Sequence, residues 1–487
     1  MKLAELLQGV AVLSANAPMD MEIGGVCYDS RNTKAGDMFV AVTGFAVDGH
    51  KYIGKAVELG ATVVLCQEIP EMEVPYVQVA DSRAVLAQLG GNWYGHPSKA
   101  MTVIGVTGTN GKTTTTYLLK TVLEQTVGAK VGIIGTIHNM IGEEIVETER
   151  TTPESFELQG LLAQMKEADC THVLMEVSSH ALVLNRVDGI HFEVGIFSNL
   201  TEDHLDFHHT MEEYAQAKAL LFTHCAHGAY NIDDPAYKTM MEQATCTTLT
   251  YGKADNTADL TAKNVALHSD SVEFDAVYGE KTVSIKLGIP GGFTVYNTMS
   301  VLAAGLILNI GLEDMAKALS IAHGVKGRVE VVPTPGTDYT VLIDYAHSPD
   351  GLENVLTSVN GFCKGRTIAV FGCGGDRDPI KRPIMGEIGS RLSDVTIITS
   401  DNPRTEDPMQ IIEQVVEGAK RTGKPYYVEE NRRKAIRFAM DLAEKDDIIV
   451  LAGKGHETYQ ILGTIKTHLD EREEVAAHLE ELGVTQK

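Results

Sequence analysis

The strongest constraint on the fold of this chain is a strand-like segment that runs into a glycine-rich turn. It spans residues 103–114 and has the sequence VIGVTGTNGKTT. Its β-branched residues predict a short strand, and the lysine and two threonines after the turn predict the start of a helix. Glycine lets backbone N–H groups close around phosphate oxygens. The strict GxxxxGK(S/T) spacing is not met, because Val106 stands six positions before Lys112. We therefore predict a phosphate-binding loop for ATP or GTP, with a plain glycine-rich turn as the alternative.

Each residue type in this loop has a chemical reason. The glycines allow close approach of the backbone, Lys112 adds a positive charge, and the Thr113 hydroxyl can hold Mg²⁺. The residues expected to contact the nucleotide here are Gly108, Thr109, Asn110, Gly111, Lys112, Thr113 and Thr114.

Length and composition bound the class of protein. At about 150 residues per domain, a chain of 487 residues predicts roughly three domains. Apolar runs such as 367–371 and 448–452 are far shorter than the roughly 18 residues that a membrane span needs. Glu5 and Gln8 interrupt the stretch where an export signal would be apolar, so we expect a cytoplasmic protein. The seven cysteines form no CxxC pair and are expected to be reduced packing residues.

The formal net charge of −25 excludes some partners. Such a surface repels phosphate backbones at long range, which argues against nucleic acid binding. An anionic small molecule then needs a pocket where lysines, arginines, helix N-termini or metal ions outweigh that field. Solubility alone also explains the acidity, so the charge assigns no function by itself.

Strand-like and helix-like segments alternate along the chain, which predicts an α/β protein with mainly parallel sheets. Boundaries are suggested by YGHPS at 94–98 and by the proline and glycine cluster near 332–336. The resulting domains are 1–98, 99–331 and 332–487. The last block resembles an open doubly wound domain, with strands separated by room for helices. Its strands are predicted at 339–344, 367–371, 395–399 and 448–451.

The central block carries further chemistry. The segment His172–His180, HVLMEVSSH, predicts a buried strand that delivers Glu176 and Ser178 at its carboxyl end, where parallel sheets place ligands. A buried carboxylate needs a partner, and both Mg²⁺ near the phosphate loop and a neighbouring lysine or arginine are open alternatives.

Two further candidate sites follow in the sequence, a pair of histidines and a lysine. His204 and His208 are spaced i, i+4, but a zinc protease motif would need a glutamate where Leu205 stands. Lys218 lies in a helical pattern among alanines and leucines. A solvated lysine is one interpretation, and a functional lysine in an apolar environment is the other.

The combination of these motifs resembles the Mur ligases of peptidoglycan synthesis, and the resemblance extends along the whole chain. The motifs that carry it are YDSR at 28–31, TGTNGKT at 107–113, EVSSH at 176–180, DHLD at 203–206, AKALLF at 217–222, DYAHSPD at 344–350, GGDR at 374–377, DNPR at 401–404 and GKGHE at 453–457. Within the family, the match is to members that add the third residue of the stem peptide.

The resemblance implies a three-domain ligase with a uridine-nucleotide-binding domain, a central ATPase domain and a Rossmann-like C-terminal domain. ATP would phosphorylate the D-glutamate side chain of UDP-N-acetylmuramoyl-L-alanyl-D-glutamate, and an amine would attack the acyl phosphate. The family uses two Mg²⁺ sites. Thr113 and Glu176 match the first, and His204 and Lys218 match the second. An ammonium would repel Mg²⁺, and the family solves this by converting the lysine to an N6-carboxylysine carbamate.

The resemblance also assigns binding residues by position. Those that match the uridine and muramoyl-peptide sites are Tyr28, Ser30, Thr151, Thr152, Ser178 and Arg186. Further matches on the ATP side are Asn297, Arg328, Asp344 and His347.

The choice of amino acid rests on the DNPR motif. Meso-diaminopimelate is L-lysine with an extra carboxylate on its distal carbon, and Arg404 offers the planar guanidinium that binds a carboxylate bidentately. The residues matched to diaminopimelate binding are Arg377, Asp401, Asn402, Pro403, Arg404, Gly453 and Glu457. The alternative is a capped turn in which Arg404 pairs with Glu406 or Asp407.

Three other functions stay open at this point. An L-lysine-adding ligase is disfavoured by Arg404, and a folylpolyglutamate-type ligase normally lacks the uridine-binding domain. A non-catalytic nucleotide sensor would have no reason to keep four residues together: Lys112, Glu176, His204 and Lys218. We expect a monomer that acts on small-molecule substrates.

Overall fold

The structure, a computed structural model, describes residues 1–44, 47–148, 150–253 and 257–483. The chain divides into two compact units, Met1–Thr250 and Tyr251–Lys487. Each unit contains helices and a sheet with parallel strands, which confirms the predicted α/β class. Across the described ranges, no helix is both long enough and apolar enough to cross a membrane. All seven cysteines are free thiols, and five of them are buried.

The first unit begins with a small sheet. Its strands are β1 (Val12–Ala15), β2 (Gly25–Cys27), β3 (Asp37–Val40), β4 (Val63–Cys66) and β5 (Tyr76–Val79). The order is β1-β5-β4-β3-β2, with β1 antiparallel to β5 and the other pairs parallel. The helices are α1 (Leu3–Leu6), α2 (Ile53–Glu58) and α3 (Ser82–Tyr94), with 3₁₀ helices at Ser30–Asn32 and Gly49–Tyr52. Asp81 caps the start of α3, and Gly95, with φ of 69°, ends it.

A second sheet follows in the first unit. Its strands are β6 (Thr102–Thr107), β7 (Val131–Ile134), β8 (Asn139–Ile141), β9 (Glu144–Val146), β10 (His172–Glu176), β11 (Phe192–Phe197), β12 (Cys225–Asn231) and β13 (Thr247–Gly252). The order is β13-β12-β11-β6-β10-β7-β8-β9. The helices are α4 (Lys112–Val127), α5 (Ser155–Glu167), α6 (Ser179–Val183), α7 (Leu205–His208), α8 (Met211–Ala219) and α9 (Tyr237–Glu242), with 3₁₀ helices at Pro97–Ala100 and Leu220–Thr223.

The parallel centre of this sheet positions the site. Strands β11, β6 and β10 are adjacent, and their register pairs Phe197 with Thr107 and Val106 with Glu176. All three strands therefore end at the same edge, and the loops that follow them meet there. The strands are buried because their residues are almost all apolar or β-branched, as expected for a sheet covered on both faces.

The second unit starts with an antiparallel ribbon of β14 (Leu260–Leu267), β15 (Val272–Tyr278) and β16 (Lys281–Leu287). Helices α10 (Gly292–Ile307) and α11 (Leu312–Ser320) follow. The C-terminal sheet contains β17 (Glu330–Val332), β18 (Thr340–Asp344), β19 (Thr367–Phe371), β20 (Val395–Ile398), β21 (Tyr426–Val428) and β22 (Ile448–Ala452). Its order is β17-β18-β22-β19-β20-β21, with β17 antiparallel and the other pairs parallel.

Helices and one hairpin complete this part. They are α12 (Pro349–Asn360), α13 (Lys381–Leu392), α14 (Pro408–Arg421), α15 (Arg432–Leu442), the hairpin β23 (Tyr459–Leu462) with β24 (Ile465–His468), and α16 (Glu471–Glu481). The four strands predicted for this block are confirmed to within one residue at each end. The doubly wound pattern follows from apolar runs of strand length that alternate with helical segments.

We propose that the domain boundaries lie at 98 and 331. The apolar cores support this division, because buried residues between 3 and 89 form clusters separate from those between 103 and 240. A further pair of clusters packs on the two faces of the C-terminal sheet and draws its buried residues from 329 to 479.

Helices α13 and α14 approach each other closely through two glycines. A Cβ on Gly386 would lie 1.9 Å from the Val415 carbonyl oxygen, and one on Gly418 would lie 1.7 Å from that of Pro383. Neither contact can be relieved by a side-chain rotation, because backbone atoms make it. The two helices therefore pack at this distance only with glycine at both positions.

We expect Gly418→Ala to lower the free energy of unfolding by about 1–3 kcal/mol, because the added methyl group forces the two helices apart. Urea denaturation measures this change. Glu417→Ala, at the exposed neighbouring position of α14, is the matched control and should change stability by less than about 0.5 kcal/mol. Equal losses for both variants would contradict the close helix contact.

Candidate active site

The phosphate loop has a backbone that requires its glycines. Gly108 has φ of 148° and Gly111 has φ of 87°, a region that side chains rarely adopt. A Cβ on Gly108 would lie 1.9 Å from Ser198 Oγ, so no larger residue fits there. Lys112 opens α4 and donates from Nζ to the carbonyls of Gly108 and Thr109, at 2.9 Å each. The positive charge is therefore held at the loop itself.

Ser198 and Asn199 hold this loop in place, and the sequence reasoning missed both residues. The Asn199 carbonyl accepts the Thr109 N–H at 2.9 Å, and its side chain accepts the Asn110 N–H at 2.9 Å. Asn199 Nδ2 and Ser198 Oγ both donate to the Asn110 carbonyl, at 3.0 and 2.7 Å. The available signal was their position directly after the buried strand β11, at the edge where parallel strands end.

Glu176 ends strand β10 and is 1% exposed. Its two carboxylate oxygens accept bonds from the Thr136 N–H at 3.1 Å and the Thr136 hydroxyl at 2.9 Å. Within the described part of the chain, no lysine or arginine forms an ion pair with it, so the alternative of a salt bridge finds no partner. Burial and the nearby Glu176 carboxylate raise the pKa of Tyr117 to about 12. Thr136, which the sequence reasoning missed, fixes the orientation of this carboxylate.

The donor set around Glu176 suits a hard cation. Neutral donors leave its negative charge uncompensated, and Mg²⁺ prefers oxygen ligands. Thr113 lies in the first turn of α4 and is buried, and Thr114 beside it is half-buried. The described residues contain no cluster of three or more His, Cys, Asp or Glu side chains that could hold a metal. A metal at this edge would therefore need oxygens from a bound phosphate, as Mg²⁺ sites often do.

Lys218 lies on α8 and is 1% exposed, which excludes the solvated interpretation. Its Nζ lies 4.3 Å from the centre of the Tyr214 ring. Burial, and then the positive charge of Lys112, hold the pKa of Lys218 well below its usual value, while Asp203 acts in the opposite direction. Among the described side chains, no carboxylate lies within 4.0 Å of its ammonium group. The site therefore favours a neutral amine.

Tyr214, which the sequence reasoning did not single out, connects Lys218 to the phosphate loop. Its hydroxyl lies 3.2 Å from Thr109 Oγ1. Burial raises the pKa of Tyr214 to about 12, so the hydroxyl stays protonated at neutral pH. One side chain therefore contacts both the loop and the buried amine.

The two histidines after β11 have different environments. His204 precedes α7 with φ of 54°, and its half-exposed ring lies 3.5 Å from an Asp203 oxygen. His208 is buried, its Nε2 lies 2.8 Å from Ser179 Oγ, and its ring stacks on Tyr214. Only His204 of this pair remains accessible to a ligand.

Residues matched to the sugar-peptide site surround the end of β10. Thr152 Oγ1 donates to the Glu176 carbonyl at 2.9 Å and accepts the Ser178 N–H at 3.2 Å. Ser178 then caps helix α6. Thr151 Oγ1 lies 3.0 Å from Thr136 Oγ1. These residues therefore form one hydrogen-bonded group with Glu176.

Arg186 belongs to a cluster of three arginines around Glu154. The Glu154 carboxylate lies 2.7 Å from Arg186, 3.1 Å from Arg83 and 3.1 Å from Arg150. Arg186 also donates to the Thr152 carbonyl at 3.2 Å. Three guanidinium groups around one carboxylate leave an excess of positive charge, which favours an anionic ligand. The sequence reasoning missed Arg83, Arg150 and Glu154.

Tyr28 and Ser30, the residues matched to uridine binding, follow strand β2. The Tyr28 hydroxyl donates to a Glu157 oxygen at 2.5 Å, and burial followed by this bond raises the pKa of Tyr28. Ser30 is buried at the start of a 3₁₀ helix. Tyr28 and Arg83 therefore both contact the N-terminal end of α5, Tyr28 through Glu157 and Arg83 through Glu154.

Three of the residues matched to ATP binding by sequence, Arg328, Asp344 and His347, centre on Asp344 at the end of β18. This carboxylate is buried and accepts the N–H groups of Val329 and Ala346 at 2.8 Å each. Burial raises the pKa of Asp344, and Arg328 and His347 act in the opposite direction. Asn297 is separate from this group in the chain and lies buried on α10.

Arg404 does not form the ion pairs that would make it a plain capped turn. Its Nη1 donates to the Gly375 carbonyl at 2.8 Å. Glu406 pairs with Arg382 instead, and Asp407 caps the N-terminus of α14. The guanidinium therefore keeps its positive charge without a carboxylate among the described residues.

The backbone at Arg404 is also fixed. It has φ of 51°, its N–H donates to the Ile461 carbonyl at 3.1 Å, and its carbonyl accepts the Gly463 N–H at 2.8 Å. Pro403 before it is buried, and Arg377 is exposed with Nη1 at 3.3 Å from the Asp376 carbonyl. The hairpin of β23 and β24 therefore holds Arg404 in a left-handed backbone conformation that residues other than glycine rarely adopt.

Lys454, which the sequence reasoning passed over, organises the acidic side of this site. It is fully buried, and its Nζ lies 3.1 Å from Asn402 Oδ1, 3.1 Å from Glu457 Oε2 and 3.6 Å from Asp401 Oδ1. A Cβ on Gly453 would lie 2.6 Å from Asp401 Oδ2. Two carboxylates against one lysine leave a net negative charge, which suits an ammonium group.

Comparison with known families matches most of the chain. Residues 22–94 match the Mur ligase family catalytic domain, residues 106–305 the Mur ligase middle domain, and residues 327–455 the Mur ligase glutamate ligase domain.

Individual relatives match over nearly their whole length. The UDP-N-acetylmuramoyl-L-alanyl-D-glutamate–2,6-diaminopimelate ligase of Clostridium botulinum is 48% identical over 467 residues, covering 95% of this chain and 96% of the relative. The first such ligase of Clostridium acetobutylicum is 47% identical, covering 99% and 100%. A solved structure of a ligase with this name is 30% identical, has a TM-score of 0.74 and covers 100% of both chains.

We expect Asn199→Ala to weaken ATP binding by about tenfold, because the change removes two of the four bonds by which Ser198 and Asn199 hold the loop backbone. Isothermal titration calorimetry measures the affinity. Asn92→Ala is the matched control, since Asn92 also makes two bonds to backbone carbonyls, those of Leu6 and Gln8, far along the chain from the loop. Equal affinities for the two variants would show that Asn199 does not support the loop.

Proposed function

The chain belongs to the Mur ligase family, and from this premise we propose that it is the ATP-dependent ligase that joins meso-diaminopimelate to UDP-N-acetylmuramoyl-L-alanyl-D-glutamate. The amide bond forms at the side-chain carboxylate of D-glutamate, and the product is a precursor of peptidoglycan. Relatives with this name match nearly the whole of both chains. The structural observation that carries the choice of amino acid is Arg404, whose guanidinium has no carboxylate partner among the described residues.

The chemistry explains why the site concentrates positive charge. A carboxylate is a poor electrophile, so the γ-phosphoryl group of ATP is first transferred to it, which gives an acyl phosphate and ADP. The amine of diaminopimelate then attacks the acyl carbon and phosphate leaves. Phosphoryl transfer between two anions depends on positioning and on neutralised charge. The loop amides and Lys112 supply both for the phosphates, since the loop is fixed by Asn199.

We assign two Mg²⁺ sites to this edge of the sheet. Thr113 and Glu176 would hold the first, and His204 and Lys218, as its carbamate, would hold the second. Bound Mg²⁺ supplies charge neutralisation for the transferring phosphoryl group. The uncompensated carboxylate of Glu176 and the accessible ring of His204 support these assignments.

Lys218 becomes a useful ligand by carbamylation. Its neutral amine attacks the carbon of CO₂, a C–N bond forms, and loss of one proton leaves an anionic carbamate, N6-carboxylysine. Burial and the charge of Lys112 favour the neutral amine that this reaction needs. The modification also replaces a neutral amine, which has no ion-pair partner among the described residues, with an anionic oxygen ligand.

The substrate residues follow from the family positions. Tyr28 and Ser30 bind the uridine end of the nucleotide substrate. Four further residues bind the muramoyl peptide: Thr151, Thr152, Ser178 and Arg186. The excess positive charge around Glu154 supports an anionic ligand there. Adenine and ribose of ATP are assigned to Asn297, Arg328, Asp344 and His347.

The amino acid is bound by opposite charges at its distal centre. Arg404 receives the carboxylate with support from Arg377, and Asp401 and Glu457 receive the ammonium group. Asn402, Pro403 and Gly453 shape the turn between them. Lysine lacks the carboxylate and would leave Arg404 unpaired, which costs about 1.5–3 kcal/mol per missing charged bond. We therefore place the L-lysine-adding and folylpolyglutamate-type alternatives below this function.

We propose that the reaction takes place in the cytoplasm. The use of ATP and a nucleotide-activated sugar supports this location, and the free cysteines are compatible with a reducing compartment. We propose that the protein works as a monomer.

The direct test supplies the protein with ATP, Mg²⁺ and UDP-N-acetylmuramoyl-L-alanyl-D-glutamate, together with either meso-diaminopimelate or L-lysine. We expect phosphate release and a nucleotide product with the mass of the diaminopimelate adduct. Product with lysine alone would retain the ligase and reject the choice of amino acid. No product with either amino acid would reject the proposed function.

Lys218→Ala should abolish ligation, because the second metal site loses its oxygen ligand. Small carboxylic acids such as acetate should restore part of the activity by filling the space with a carboxylate. The measurement is phosphate release with increasing acetate. Lys238→Ala, on the short helix α9, is a control that should retain activity. Full activity of Lys218→Ala without added acid would reject the carbamate.

Arg404→Ala should raise the KM for meso-diaminopimelate by at least about tenfold while the KM for ATP changes by less than about twofold. Steady-state kinetics with each substrate varied in turn measure both constants. Arg421→Ala on α14 removes an exposed pair with Glu387 and is the matched control. An unchanged KM for diaminopimelate in Arg404→Ala would count against the assignment.

A further inference from the structure

Two carboxylate side chains follow Arg404 in the sequence and could neutralise its guanidinium, but in the structure both have other partners. Arg404 must present a free guanidinium to bind a carboxylate, yet Glu406 and Asp407 follow it by only two and three residues. Either side chain is close enough in the chain to neutralise it. Asp407 is removed from competition because its carboxylate accepts the N–H of Gln410 at the start of α14. Glu406 needs a different partner.

Arg382 is that partner. It lies on α13, it is 1% exposed, and it binds both oxygens of Glu406, at 2.9 Å through Nη1 and 2.8 Å through Nη2. Gln414 accepts a further bond from Nη1 at 2.9 Å. The hydrogen bonds from Arg382, the largest cause, lower the pKa of Glu406. This bidentate geometry is specific to arginine, since a lysine ammonium cannot match both oxygens.

The two arginines bind consecutive carbonyls of one loop. Arg382 Nη2 donates to the Gly374 carbonyl at 3.2 Å, and Arg404 Nη1 donates to the carbonyl of the next residue, Gly375, at 2.8 Å. Glu406 Oε1 and Arg404 Nη1 bind the two sides of one peptide unit, the Asp376 N–H and the Gly375 carbonyl. Without Arg382 the Glu406 carboxylate would lose its guanidinium partner, and Arg404 is the nearest arginine to it in the chain.

The same ion pair fixes the neighbouring loop. Glu406 Oε1 accepts the Asp376 N–H at 2.5 Å, and Asp376 in turn accepts bonds from the N–H and hydroxyl of Thr405, at 3.2 and 2.7 Å. The loop that carries Arg377 is therefore joined to the turn that carries Arg404.

We propose that Arg382 is a positioning residue for amino-acid selection: it holds Glu406 away from Arg404 and so keeps the Arg404 guanidinium free for the distal carboxylate of the amino acid. This inference rests on the proposed function, because it concerns the same amino-acid site. Arg382 contacts no substrate in this role and acts entirely through Glu406.

The test compares Arg382→Met with the double variant Arg382→Met/Glu406→Gln in the full chain, using steady-state ligation with all three substrates. The single variant releases Glu406 and should raise the KM for meso-diaminopimelate by at least about tenfold, with the KM for ATP within about twofold. The double variant removes the competing carboxylate and should bring that KM back to within about threefold of the wild type.

A merely structural role gives the opposite pattern. If the ion pair only stabilises the fold, the second substitution cannot improve binding, and a double variant with a KM equal to or above that of the single variant overturns the inference. Arg391→Met is the matched control, since Arg391 lies on the same helix and pairs with Glu353 instead. It should leave the KM for diaminopimelate unchanged.

The Arg382→Lys variant and the activity of the wild type distinguish the remaining outcomes. If Arg382→Met does not fold, Arg382→Lys fills the site with one charge, and adding Glu406→Gln to it should lower the KM for diaminopimelate; no decrease overturns the inference. A wild type that fails to ligate diaminopimelate rejects the proposed function and this inference together. An active wild type without rescue by Glu406→Gln rejects this inference alone.

Discussion

The site depends on charges that are buried without being paired. Glu176 and Lys218 are each 1% exposed in the first unit, and neither has an ion-pair partner among the described residues. Removing a charged group from water is costly, so such positions persist only when the group is neutral or a ligand compensates it. The parallel register of β6, β10 and β11 brings the loops together at one edge, and Gly108 lets the glycine-rich loop pack directly against Ser198 and Asn199.

A related constraint governs the proposed amino-acid site in the second unit. There Glu406, Asp401 and Glu457 pair with Arg382 or Lys454, whereas Arg404 makes no ion pair among the described residues. Arg382 holds Glu406, Lys454 holds Asn402 and Glu457, and Arg404 is left with backbone carbonyl contacts. Arg404 thus keeps an unpaired positive charge because the nearby carboxylates bind Arg382 and Lys454 instead. In the proposed function, specificity for a carboxylate therefore depends on residues that do not touch the amino acid.

Sequence reasoning predicted the fold class, the phosphate loop and the strands of the C-terminal sheet, because local patterns determine these features. Apolar runs of strand length, and a lysine and threonines after a glycine turn, are visible in any stretch of the chain. The supporting residues could not be predicted in this way. Thr136 and Asn199 act on Glu176 and Asn110 from 40 and 89 residues away in the chain, so only the sheet order brings them into contact. The ion pair of Glu406 with Arg382 could not be predicted for the same reason, since Arg404 is nearer to Glu406 in the sequence.

The most direct test of the unpaired buried charge is ¹³C NMR of the protein equilibrated with ¹³C-bicarbonate at neutral pH, with Lys218→Ala for comparison. Because burial and Lys112 lower the pKa of Lys218, its amine is neutral at a pH where an exposed lysine is charged, and CO₂ can add to it. We predict a carbamate carbon signal in the wild type that is absent from the variant. A folded, active wild type without that signal would contradict carbamylation of Lys218.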